Sequence, residues 1–258
     1  MTEARTDPAA EASPGAGVSI PDAVRAFRVA HRARHIGPRY HGWLHFGTTT
    51  VGALAAIIVA AVMVDAPSLA ELAAVPLSFL LANLGEYAGH RGPMHHRRRG
   101  LSILFERHAR QHHRFYTHDA MAAESPRDFQ MVLFPPAMLV FFLGALAFPI
   151  GALLHWAVSP NVGWLFGATA MTYFVTYEWL HFAYHLPPDG WVGRRRLVQI
   201  LRRHHTLHHD QRRMAHTNFN ITFPIADWLF GTIGAPARES RDQGAAEPLP
   251  ASGAGSSE

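Results

Sequence analysis

The sequence predicts an all-α integral membrane protein: four transmembrane helices in two hairpins, with the polar mass of the chain gathered on the cytoplasmic side. Three observations predict it. Four apolar runs are each long enough to cross a bilayer, arginines are confined to alternate connections between them, and histidines crowd just beyond the ends of two runs. Composition agrees. Of 258 residues 48% are hydrophobic and only 16% charged, a poor match to a water-soluble surface. The mean hydropathy of zero conceals these runs because polar stretches are averaged with them.

The elements follow in order. Residues 1–19, MTEARTDPAAEASPGAGVS, carry acids and lack an apolar stretch, so they read as a disordered tail and not as a signal peptide. Residues 20–43 contain PDAVRAFRVAHRARHIG, in which Val24, Phe27 and Val29 stand among arginines; this amphipathic segment is expected at the membrane surface. The spans lie at about 44–64, 69–88, 131–158 and 163–184, against the roughly 20 residues that a helix needs. Pro135 and Pro136 mark the start of the third, and Pro149 predicts a kink within it. Residues 234–258, rich in Ala, Gly, Ser, Pro and Glu, read as a second disordered tail, leaving 44–233 as one domain.

Orientation follows from charge. All 23 basic residues are arginine. Arg25, Arg28, Arg32, Arg34 and Arg39 precede the first span; eight from Arg91 to Arg127 lie between the second and third; seven from Arg194 to Arg213 follow the fourth; the two remaining connections have none. The positive-inside bias puts both termini and the long middle loop in the cytoplasm, which in a bacterium means the inner membrane.

With no cysteine, metal chemistry falls to histidine and carboxylates. Fourteen of the 19 histidines lie at or just beyond the inner ends of spans two and four. Span two ends EYAGHRGPMH and is followed by HARQHH; span four ends EWLHFAYH and is followed by HHTLHH. The hairpins read as two versions of one half-site. Residues three or four apart on a helix share a face. His108 with His112, His181 with His185, and His205 with His208 and His209 are therefore expected to aim at common points. Together the boxes offer His90, His95, His108, His112, His113, His181, His185, His205, His208 and His209, more donors than one ion uses, so two ions are expected. Glu86 and Glu178 stand about one turn before His90 and His181, where an unpaired carboxylate is costly. They are expected to accept the second ring N–H of ligating histidines or to act as further ligands. His96, His118, His204 and His216 are further candidates, as ligands or supports. His41 and His45 read as interfacial residues, and His31, His35 and His155 as surface or interface residues.

Other readings fit less of this pattern. A basic surface binding lipid phosphates needs charge, but not one spacing repeated after two spans. A bis-histidine haem wants single histidines deep in facing helices. Imidazole suits zinc, copper, iron and nickel alike. Zinc, without redox chemistry, would make a membrane hydrolase; iron would make an oxygen-activating enzyme. A site at the inner ends of membrane helices is open to a substrate in the bilayer, and oxidising an unactivated C–H bond there requires an oxidant made from O2, which favours iron. A non-catalytic metal- or lipid-binding membrane protein is the third class.

These boxes, closed by NFNITFPIADWLFGT, resemble the histidine boxes and terminal signature of the fatty acid hydroxylase and sterol desaturase superfamily of integral-membrane di-iron oxygenases, over about residues 40–233. The resemblance implies a cytosolic helical cap carrying the boxes, with 44–233 as the catalytic domain. It implies two irons held by histidine, O2 as co-substrate and a separate electron donor, ferredoxin- or cytochrome-type with its reductase. The substrate implied is a membrane lipid, sterol-like or acyl-chain, to be hydroxylated or desaturated; neither a nucleic-acid partner nor a catalytic residue beyond the metal ligands is implied. Box by box, His90 and His95 match the first, His108, His112 and His113 the second, His181 and His185 the third, and His205, His208 and His209 the fourth. Two features depart from the pattern. Many members place two residues between the first histidine of the second box and its pair, where Ala109, Arg110 and Gln111 make three here. No cytochrome b5 domain is fused at either end, so the reductant is expected on a partner. Asp227 is expected to anchor the cap and not to touch metal.

Overall fold

The computed structural model describes residues 20–235, and every regular element among them is helical. Gly42–Val62, Leu69–Met94 and Pro126–Ala157 are long and apolar enough to cross a membrane. Leu44, Val51, Ile58, Val62, Leu77, Val140, Phe148 and Leu153 project outward from them. An apolar face this extensive would drive aggregation in water, and it matches the hydrocarbon of a bilayer.

The third of these stretches opens with a 3-10 turn, Pro126–Met131, and becomes α-helical at Pro136, where a missing N–H costs nothing. The irregularity expected at Pro149 appears as a π-turn over Phe142–Ala147, immediately before the proline. The fourth predicted span is the 25-residue helix Pro160–Tyr184. At about 1.5 Å per residue it is long enough to cross, but its Thr, Tyr, Glu and His side chains make it less apolar than the other three. Its surroundings explain why. It packs against all three apolar stretches and buries Phe166, Met171, Tyr173, Phe174, Tyr177, Glu178 and His181, so its Tyr173, Tyr177, Glu178 and His181 side chains meet protein.

Two tight connections lie at one end of the helices. Ser68 and Glu71 form a capping box at Leu69, and Ser159 caps the helix that Pro160 begins. The two turns are bonded to each other: Asn161 donates to the Asp65 carbonyl at 2.8 Å and accepts the Asp65 N–H at 2.9 Å. Close helix contact demands glycine at two places. A Cβ at Gly163 would lie 2.5 Å from the Gly151 carbonyl, and one at Gly42 would overlap the Pro126 carbonyl.

At the other end of the helices, the amphipathic segment forms the helix Asp22–His35. It faces the protein with an unexpected side. Val29 is exposed, whereas Arg28 and His31 are buried, His31 lying against Phe27 and Phe115 where a surface or interface position was expected. Arg28 donates to the carbonyls of Phe115 at 2.7 Å, Ala120 at 2.6 Å and Ala122 at 3.2 Å. The helix is thus a clasp over the loop that follows the second histidine box. The tails assigned to 1–19 and 234–258 lie outside the described residues, apart from 234 and 235.

Candidate metal centre

The structure gathers the ten box histidines into two groups. His90, His95, His108, His113 and His208 form one; His112, His181, His185, His205 and His209 form the other. In each group the candidate ligand nitrogens lie within 4.8 Å of one another, and all ten residues are buried. The other candidates stand outside both. His96, His118 and His216 are exposed, and His204 lies 3.3 Å from Asp227. His45 is buried but bonded to the Tyr40 hydroxyl and the Phe134 carbonyl, both at 2.8 Å, while the His41 ring caps the first span.

The grouping corrects the expected pairings. His181 with His185, and His205 with His209, share a group as an i,i+4 spacing on an α-helix requires. His112 and His208 do not join the partners expected for them. Residues Glu106–His112 form a π-turn, in which hydrogen bonds join residues five apart and each turn is wider than in an α-helix; His108 joins His113 in one group while His112 turns to the other. The extra residue among Ala109, Arg110 and Gln111 is absorbed by this wider turn. His208, three residues from His205 and next to His209, likewise points across. Each half of the chain therefore supplies four ligands to one group and exchanges one with the other, and the two groups are not separate half-sites.

Ring orientation shows that these sites suit cations. Five rings donate Nδ1–H to backbone carbonyls: His90 to Phe219, His208 to Thr217 at 2.8 Å, His112 to Met131 at 2.7 Å, His185 to Met121 at 2.8 Å and His209 to Tyr116 at 2.6 Å. A carbonyl only accepts, so the Nε2 of each of these neutral rings carries a lone pair directed inward. His95 Nε2 lies 3.2 Å from that of His90 and 3.0 Å from that of His208. His205 Nε2 lies 3.2 Å from that of His185 and 3.0 Å from that of His209. One N–H cannot serve two lone pairs, whereas one cation can. The Nδ1 atoms of His95, His113 and His205 are buried without partners among the described residues. The donor set, all nitrogen with its second nitrogen often bonded to a carbonyl, fits borderline transition metals such as iron or zinc.

Two loops hold the orienting carbonyls, and neither was visible from the histidine pattern. Thr217 and Phe219 flank Asn218, whose φ of +59° is a left-handed conformation that asparagine tolerates. From the second span, Glu86 accepts the N–H groups of Ile221 and Thr222 and the hydroxyls of Thr222 and Tyr173, and Asn83 donates to the Phe223 carbonyl at 2.8 Å. Asp227 accepts from Phe219 N at 2.9 Å, Asn220 N at 2.7 Å and Thr232 Oγ1 at 2.6 Å. Burial works to raise the Asp227 pKa, but these bonds and the one from His204 hold it below the usual carboxylate value. The second loop, 116–131, is held by Arg28 and by buried Asp128, which pairs with Arg32 at 2.7 Å and accepts Glu124 N at 2.8 Å.

Glu86 and Glu178 thus differ from expectation: neither accepts from a histidine. Glu178 accepts the Phe134 N–H at 3.2 Å. Irregular loops present N–H groups without secondary-structure partners. These carboxylates satisfy them, and backbone carbonyls take over the orientation of the rings. Asn83 in an apolar run, and the Asn and Asp residues of NFNITFPIAD, are the sequence signals that mark the first loop.

Burial, reinforced by neighbouring imidazoles, holds His95, His108, His113, His185, His205, His208 and His209 below the usual imidazole pKa. Burial also pushes His112 down to about 3, against the opposing Met131 carbonyl. Neutral imidazole is the ligating form. In the unfolded chain each ring takes a proton near pH 6.5, so this stability is whole above that pH and is lost as pH falls towards 3. At pH 5 the linkage costs about 2 kcal/mol per such ring, and a few rings rival a net stability of about 5–15 kcal/mol. Metal-free protein is expected to lose most of its thermal stability between about pH 6.5 and 5, while metal-loaded protein resists to lower pH. A metal-free melting temperature that is flat over this range would refute the linkage.

A family model, fatty acid hydroxylase, matches residues 75–232, more than half the chain and the whole of both histidine groups. No curated protein and no solved structure matches the chain.

Proposed function

The chain belongs to the fatty acid hydroxylase family, and from that premise we propose that it is an O2-dependent di-iron oxidoreductase that hydroxylates, or desaturates, a C–H bond of a membrane lipid. One observation carries the reading beyond the family. A cavity of about 390 Å3 opens between the apolar helices, is lined by Leu81, Phe142, Ile150, Phe166 and Phe174, and ends at Glu86 and His90. An apolar chain entering from the bilayer would be led to a histidine of the first group.

The two histidine groups would hold one iron each. Bound iron supplies the reduction of O2 to an oxidant able to take hydrogen from an unactivated C–H bond. Hydroxylation balances as substrate, O2, two electrons and two protons giving alcohol and water; the electrons come from a separate ferredoxin- or cytochrome-type carrier. The side chains hold and orient. Carbonyl-bonded rings keep their lone pairs aimed, Phe134, Tyr173 and Tyr177 at the inner end of the cavity exclude water, and the apolar lining positions the lipid by shape. The arginine-free turns and arginine-rich opposite end support termini and histidines on the cytoplasmic side, with Pro160–Tyr184 as a fourth span.

The test is purified protein loaded anaerobically with ferrous iron and given reductant, membrane lipid extract and 18O2. The expected product is a lipid carrying one 18O, or lacking two hydrogens, by mass spectrometry. The reading fails if O2 is not consumed and no lipid changes mass. Lipid cleavage that persists without O2 would point instead to a zinc hydrolase.

A further inference from the structure

Residues 218–233, beyond the fourth histidine box, run back along the second span. A hydrocarbon layer of about 30 Å, entered at Leu69, is left near Gly89 at about 1.5 Å of helix per residue. Phe219 packs on Tyr87, close to that boundary. Phe223 lies against Phe79, about 15 Å inside it, and its carbonyl accepts from Asn83 at 2.8 Å. Phe230 returns to stack on Tyr87, and the Asn218 N–H closes the neck on the Thr232 carbonyl at 2.9 Å. Non-helical backbone at such depth is tolerated only where protein satisfies its polar groups. Side chains do so here. Asp227 accepts the N–H groups of Phe219 and Asn220, Glu86 those of Ile221 and Thr222, and the amide oxygens of Asn83 and Asn220 those of Ala226 and Asp227.

The outward side of the segment is apolar. Ile225, Trp228, Leu229, Phe230 and Ile233 are exposed, Trp228 by 74%, whereas Asp227, the one charged residue in 218–233, is buried. Leu80 and Leu84, one residue on from Phe79 and Asn83, are exposed beside it, so the patch continues the lipid-facing side of the second span. We propose that residues 218–233 form a re-entrant wedge seated in the leaflet on the histidine side, and that lipid hydrocarbon covers Ile225, Trp228 and Leu229. Asn83 and Glu86 are then polar residues kept within a span because a re-entrant backbone needs them. The Phe219 carbonyl that orients His90 is on the wedge, and the Thr217 carbonyl that orients His208 is at its neck. Two rings of the first histidine group are thus aimed by a loop whose outer side is held by lipid. The seat follows from the membrane placement and is independent of the reaction catalysed.

The chain has no cysteine, so a single introduced thiol reports its own surroundings. Ile225→Cys and Leu229→Cys, labelled with a fluorescent maleimide in the full chain in phosphatidylcholine vesicles, are compared with two controls. Val140→Cys is exposed on the third apolar stretch, and Arg212→Cys is exposed just after the fourth box. The ratio of quenching by nitroxide-bearing lipid to quenching by aqueous iodide is expected to be several-fold higher at both wedge positions than in Arg212→Cys, and close to that in Val140→Cys. A ratio equal to that of Arg212→Cys would overturn the proposal. So would shielding from both quenchers, which would put a second copy of the chain on this face. Leu229→Asp sets a carboxylate against hydrocarbon. It is expected to weaken zinc binding at the group containing His90 about 10-fold, the low end for loss of an orienting partner, whereas Leu229→Phe keeps it. Undiminished zinc affinity in Leu229→Asp would break the link between lipid contact and ring orientation.

Discussion

Alanine at His112 or at His113 is expected to lower bound iron from two per chain to one or fewer and to reduce lipid product at least about 100-fold. The two residues adjoin in sequence but belong to different groups. Each substitution leaves four imidazoles where five converge, and His112→Ala also strips the Met131 carbonyl of its donor. Loss of a partner that merely orients a ligand costs about 10–100-fold in metal affinity or activity, and loss of the ligand itself costs more. His96→Ala is the control, since that ring is exposed and bonds only the Arg91 carbonyl. Elemental analysis and lipid mass spectrometry on the three variants decide the point. Wild-type metal and product in either His112→Ala or His113→Ala would sink the assignment of that group.

Glu86→Ala is expected to be the most destabilising change away from the histidines. It leaves the N–H groups of Ile221 and Thr222 without an acceptor in a buried setting, at about 1–3 kcal/mol for each unsatisfied donor, and frees the hydroxyls of Thr222 and Tyr173 as well. The released segment carries the Phe219 carbonyl that orients His90. Metal should therefore be lost first from the group containing His90, and the melting temperature in detergent should fall by several degrees. Glu86→Gln, which keeps one acceptor oxygen, should recover part of both. Glu178→Ala, which frees a single N–H at Phe134, should be milder. A Glu86→Ala protein with wild-type melting and metal content would show that the segment is held by Asn83 and Asp227 alone.

What the sequence disclosed and what it hid divide along physical lines. The apolar runs and the ten histidines were legible because hydropathy and imidazole are properties of side chains. Pro160–Tyr184 was legible as a long helix, but not as the enclosed one, because enclosure depends on its neighbours. The π-turn at Glu106–His112 shows in the letters only as the third residue between His108 and the His112–His113 pair; the change of hydrogen-bond register that redirects His112 and His113 is not legible there. The carbonyls of Thr217, Phe219, Met121 and Met131 were hidden for a related reason, since any residue can supply one. Their anchors, Asn83, Glu86, Asp128 and Asp227, are visible as polar residues, yet nothing in the letters says that they grip loops and not metal.

The dipeptides His112–His113 and His208–His209 each send one ring to either group. Consecutive Cα atoms across a trans peptide are held about 3.8 Å apart, so two rigid rungs connect the groups and set the distance between their centres. Sliding or tilting a helix moves both ends of a rung together. An ion seated in one group orders half of each rung, and less freedom remains to be lost when its neighbour arrives. Cooperative loading is the expected result, read in a metal titration as few singly loaded chains near half-saturation.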